Sequence, residues 1–179
     1  MTMKLKKTLQ IILALCLGLW MISCQQEHIK LTSPNGKLSL EFTLDEEGAP
    51  RYCLRHAGKN ILLPSRLGLK DAPDLLTGFV LKEVKHDSHN DVWQPVWGEE
   101  AEIVNHYNEL RVCLKEETSL ERELNIIFRL FDDGMGFRYE FPRQQQLQEF
   151  LIDDEVTEFV FPADYDAWSI PVKGVRFYE

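Results

Sequence analysis

Two carboxylates, Asp132 and Asp133, stand side by side in the stretch "RLFDDGMGFRYEFP", Arg129 to Pro142. Adjacent acids could act as an acid–base pair or as cation ligands. A catalytic acid pair has to approach one bond from opposite sides, a placement that sequence neighbours rarely reach. A calcium loop needs alternating oxygen ligands closed by a glutamate, and that pattern is missing here. Asx residues followed by Gly134 and Gly136, between two runs of alternating polarity, instead match the tip of a hairpin.

Other stretches carry chemistry-bearing side chains as well. "HDSHND", His86 to Asp91, is rich in metal-ligand types but reads as a solvated loop. "VWQPVWGEE" places Trp93 and Trp97 near Glu99. An indole can stack on the apolar face of a sugar ring while a carboxylate accepts from its hydroxyls. The same tryptophans could equally fill a core, and the residues alone leave both readings open. "NHYNEL", Asn105 to Leu110, is dense in polar groups, which suggests an edge or an interface. His106 is the candidate sugar contact there, against the reading of a satisfied structural histidine. No phosphate loop, dinucleotide fingerprint, GxSxG or HExxH occurs.

These residues must be positioned by strands. Leu38, Leu40, Phe42 and Leu44 alternate with polar residues after a Pro34–Asn35–Gly36 turn. That period of two predicts a half-buried strand, and "RYCLRH" predicts its hairpin partner. Further strands are predicted in Ile61–Leu63, closed by Pro64, in "NHYNELRVCLKEE", "LERELNIIFRLF" and "GFRYEFP", and in "EFLI" and "TEFVFP". A short helix is predicted within Ala72 to Gly78. Many short strands with regular turns imply an all-β fold, an antiparallel sandwich or barrel.

The 179 residues suit a single domain, and a formal net charge of -9 argues against nucleic acid as a partner. The first 23 residues differ in character from the rest. Lys4, Lys6 and Lys7 precede an apolar run, Ile11 to Ile22, that is short for a membrane span. Cys24 directly after Ser23 resembles the bacterial lipoprotein box, with Met21 where Leu is more usual. The resemblance implies a signal over 1–23, a lipid on Cys24 and a tether over 24–28. The chain is then expected to be exported and lipid-anchored, in the periplasm or at the outer membrane. An ordinary signal peptide or an anchor helix is the alternative. Cys53 and Cys113 remain, and the sequence leaves open whether they are bonded or are two separate thiols. No CxxC pair points to zinc.

Six blocks occur in order along the chain: "SPNGKLSLEFTLDEEGAPRYCL", "ILLPSRLGL", "WQPVWGEE", "NHYNEL", "FRLFDDGMGFRYEFP" and "AWSIP". Together they resemble the N-terminal domain of glycoside hydrolase family 97, over about Ile29 to Glu179. The resemblance implies a β-super-sandwich that packs on a (β/α)8 barrel in exported α-glucosidases and α-galactosidases. The barrel would hold the catalytic carboxylates and most calcium ligands. The N-terminal domain would donate one glutamate to calcium, matched here by Glu179, and wall the sugar pocket, with Trp97, Glu99 and His106 as candidates. No catalytic residue is expected in this chain, and its abrupt end at Tyr178–Glu179 suggests a fragment or a split gene. The family's usual arginine before "NHYN" is Val104 here, and its "DETW" reads Asn90-Asp91-Val92-Trp93. Two other readings are kept: a free-standing carbohydrate-binding lipoprotein, and a sandwich with a purely structural role.

Overall fold

The computed structural model describes residues 28–70, 74–145, 147–149 and 151–168. Cys24 and Glu179 lie outside the described residues, as does the predicted signal. The first sheet contains β1 (Ile29–Thr32), β2 (Leu38–Leu44), β3 (Pro50–His56) and β4 (Lys59–Arg66), paired in that order. The second contains β6 (Phe79–Trp93), β7 (Ile103–Glu116), β8 (Glu123–Leu130) and β9 (Met135–Glu140), again in sequence order. Between them in the chain, β5 (Leu69–Lys70) pairs with the short β10 (Asp154–Glu155). Every ladder is antiparallel. No helix occurs among the described residues, so the expected all-β antiparallel sandwich is the fold.

Alternation builds each layer. Leu38, Leu40 and Phe42 of β2 are buried while Ser39, Glu41 and Thr43 between them stay partly exposed. Leu110, Val112 and Leu114 of β7 and Leu124, Ile126, Phe128 and Leu130 of β8 form the opposing face. The layers meet at aromatic pairs: Phe128 lies 6.1 Å from Phe42 and 6.1 Å from Tyr52, ring centre to ring centre. Burying one such side chain stabilises the fold by about 1.5–3 kcal/mol.

Three locks close the sandwich. At one end, Gly78 donates to the Glu47 carbonyl at 2.8 Å and Phe79 to the Gly48 carbonyl at 3.1 Å. This joins the β2–β3 turn of the first sheet to the start of β6. Gly48 has φ +72, and a Cβ there would come within 2.7 Å of the Phe79 backbone, so only glycine fits. At the other end, the Asn35 N–H donates to Asp132 Oδ1 at 2.8 Å. The predicted hairpin tip is present, with Phe131 N–H donating to the Gly134 carbonyl at 2.9 Å, and one of its acids fastens it to the β1–β2 turn. Along the side, residues 153–160 run beside β5 and β4. Asp153, Val156, Glu158 and Val160 donate, in order, to Lys70, Gly68 and Arg66 carbonyls and the Ser65 hydroxyl. Tyr52 of the first sheet donates to the Glu158 carbonyl at 2.9 Å, and Tyr139 of the second lies 2.7 Å from Thr157 Oγ1.

Several expectations are corrected. "HDSHND" is not a loop: it lies inside β6, paired residue by residue with β7. The helix predicted over Ala72 to Gly78 is absent from its described part, where Leu75 instead exchanges backbone hydrogen bonds with Leu69. Pro64 does not end its strand. The register shifts between Tyr52 and Leu54, so Leu63 and Pro64 bulge opposite Cys53 and β4 continues to Arg66. A bulge is where a strand tolerates proline. Cys53 and Cys113 are free thiols in different sheets, and burial pushes both up from the usual thiol range.

Candidate functional site

β6 and β7 are longer than the sheet that holds them. β8 pairs with β7 only from Asn108 onward. Beyond that point, residues 89–93 and 103–107 pair with each other alone, as a two-stranded ribbon. A ribbon of this kind has no opposing layer, so its residues need no apolar alternation. The sequence signal for a strand is therefore absent there.

Residues two apart share a face. On the face that continues the core, Leu110 is followed by Asn108, His106 and Val104 on β7. Opposite them on β6 stand His86, Ser88, Asn90 and Val92. Polar side chains replace apolar ones where the sandwich ends. Asn108 is fixed there by donating from Nδ2 to the Thr32 carbonyl of β1 at 2.8 Å. His106 is half-buried and sits across from Asn90.

The opposite face stiffens the ribbon. Tyr107 is buried beneath three neighbours. His89 stacks on it at 5.2 Å, the Arg129 guanidinium lies 4.4 Å from its ring centre, and Phe131 tilts against it at 5.2 Å. Arg129 is held in turn by Glu109 at 2.7 Å, and His89 pairs with Asp91 at 3.0 Å. A cation over an aromatic face is worth about 0.5–1 kcal/mol at exposed sites. Further along, the Arg111 hydrogen bond to Glu140 holds that carboxyl below the usual carboxylate range.

The ribbon ends in the loop 94–102, which carries two of the three predicted contacts. Trp97 is 87% exposed and Glu99 is exposed beside it. Trp93, at the end of β6, is 49% exposed. Neither tryptophan fills the core, which resolves the alternative that the sequence left open. With Val92, Val96 and Val104 they form an exposed apolar tip. His106 lies back along the ribbon, and no hydrogen bond or ring contact among the described residues joins it to Trp97 or Glu99. The "NHYNEL" expectation of an edge is met in part, since Asn105 to Tyr107 pair on one side only. Sequence reasoning passed over Asn108 and Thr32 as partners, because β1 is four residues long and no local pattern links it to a strand 76 residues away.

Among the described residues, no three His, Cys, Asp or Glu side chains converge to hold a metal ion.

The fold and the site define a two-sheet antiparallel β-sandwich domain with a protruding aromatic ribbon. The family profile described as "Glycosyl-hydrolase 97 N-terminal" matches residues 31–179, and the chain belongs to that family. It is similar to a glycoside hydrolase family 97 enzyme from Pseudoalteromonas sp. strain K8. The match to a variant in complex with panose has 30% identity and a TM-score of 0.70, and that to the complex with acarbose has 29% and 0.71. Each match covers 75% of this chain and 20% of the other. A β-arabinopyranosidase structure matches at 28% identity and a TM-score of 0.69, covering 75% of this chain and 21% of its own. The chain thus spans about a fifth of the length of the solved structures it matches.

Proposed function

We propose that the chain is the N-terminal domain of an exported, calcium-dependent α-glycosidase acting on oligosaccharides, that it helps wall the sugar pocket, and that it has no hydrolytic activity alone. The observation that carries this reading is the family match over residues 31–179 together with the oligosaccharide complexes of similar enzymes. The catalytic barrel would be supplied in cis or in trans. Sequencing the DNA beyond codon 179 tests this directly. A continuing or adjacent barrel frame is expected, and a stop with no barrel nearby would remove the proposal.

Calcium is treated as shared with that barrel. It would bring charge neutralisation and fixed oxygen geometry to the pocket. Glu179 is the proposed ligand from this chain, and the described residues offer no site of their own. A calcium ion takes roughly six to eight oxygens. Calorimetric titration of the chain alone with calcium should therefore give no saturable heat, and tight binding would contradict the shared site. The proposed lipid on Cys24 would tether the domain to a membrane in the periplasm or at the outer membrane. Cys24→Ala should abolish labelling by radioactive palmitate.

A free-standing carbohydrate-binding lipoprotein is the second reading, favoured by the exposure of Trp97 and Trp93. Maltooligosaccharides should then quench tryptophan fluorescence in the isolated chain. That quenching should be lost in Trp97→Ala, and an unchanged response in the variant would strike Trp97 from the site.

A further inference from the structure

Where the ribbon leaves the sandwich, β1 and the two ribbon strands enclose a notch of about 460 Å³. Lys30 and Thr32 contribute from β1, His86, Asp87 and Ser88 from β6, and Asn108 from β7, with Leu31 beside them. We propose that this notch binds one neutral pyranose ring of an oligosaccharide, as a subsite separate from the Trp97 loop. The proposal rests on the sugar-facing reading given above and assigns that reading a second location.

Three observations converge on it. The register puts Ser88 opposite Asn108 at the point where the core face turns polar, so packing does not explain the choice of residues there. The Asn108 amide is already anchored through Nδ2 on Thr32, which leaves its Oδ1 as a held acceptor. Lys30 and His86 are exposed, and among the described residues neither side chain has a hydrogen-bond or ion-pair partner. Open donors, a fixed acceptor and the hydroxyls of Thr32 and Ser88 therefore line one concavity. A ring with several hydroxyls, each both donor and acceptor, matches that mixture. Asp87 in the wall and the net charge of -9 disfavour a phosphate or an acidic sugar.

The test is a titration of the 15N-labelled chain with maltotriose, followed by amide chemical shifts. The backbone amides of residues 30–32, 86–88 and 108 should move saturably. The Lys30→Ala/His86→Ala double variant, at two exposed positions, should keep the parent spectrum elsewhere and lose about tenfold in affinity at these amides, equivalent to about 1.4 kcal/mol. Quenching at Trp97 should be unchanged in it. Shifts confined to residues 94–102, or a double variant that binds like the parent, would overturn the notch and leave the sugar-facing reading standing. No movement anywhere would overturn the notch and the free-standing carbohydrate-binding reading, while the pocket-wall reading is judged by the sequence beyond codon 179. Inorganic phosphate is the control: if it moves the notch amides and maltotriose does not, the neutral ring is the wrong ligand.

Discussion

The two halves of β7 obey the same alternation and differ in what lies over them. From Leu110 to Glu116 the strand has neighbours on both edges and a second sheet across its inner face. From Ile103 to Tyr107 it has one neighbour and no opposing layer. In the first half every inward residue is fully or almost fully buried. In the second the corresponding positions are Val104, which is exposed, and half-buried His106. Backbone pairing thus carries the strand's shape in both halves, while the inward face adds core packing in only one. The freed half can hold residues chosen for something other than packing.

The largest effect should come from removing the packed half's central ring. Phe128→Ala deletes a side chain that touches both sheets and should cost about 3–5 kcal/mol, read as a lower urea midpoint. A small loss would mean that the two sheets are not one core. The same cluster predicts a pH effect. Burial first, and the neighbouring Tyr139 phenol second, push Tyr52 up to about 12. An unfolded tyrosine titrates near 10. The folded state therefore favours the neutral phenol. Its contribution to stability is complete below pH 10 and is lost as pH rises through 12. Urea midpoints should fall over that window, and Tyr52→Phe should fall less steeply. An equal slope would place the alkaline loss elsewhere.

Asp132→Ala should cost about 1 kcal/mol, the usual net worth of one hydrogen bond. It releases the β8–β9 tip from Asn35 without disturbing the core. Its thermal midpoint separates a fastening carboxylate from a merely solvated one, for which no change would be seen. The smallest effect belongs to the free half. Val104→Ser should change stability by no more than about 0.5 kcal/mol, as surface substitutions usually do. A larger loss would show that the ribbon is covered in the working protein.

The sandwich was legible in the sequence where a strand has one wet face and one dry face. Leu38 to Leu44 is of that kind, while Leu124 to Leu130 is legible from its apolar run although Asn125 and Ile127 on its other face are buried too. His86 to Asp91 was read as a loop because both of its faces meet solvent, so hydrophobic alternation has no cause there. Pro64 was read as a terminator because the bulge that accommodates it depends on Cys53 across the sheet. For the site, Trp97 and Glu99 were visible as types, but their exposure was not. That exposure follows from how far the ribbon outruns β8, a matter of register rather than composition.

The segment from Asp153 to Val160 has a consequence for the order of events during synthesis. It touches a tyrosine from each sheet, and its bond to Tyr52 spans 106 residues of chain. Contacts that distant are made late, because a long loop must close before they form. A chain emerging from its N-terminus would carry both hairpin sheets with their shared side still open until about residue 160 had arrived. Up to then Tyr52 and Tyr139 would lack the partners that this segment gives them, so the contacts that fasten the two sheets along that side are among the last to form.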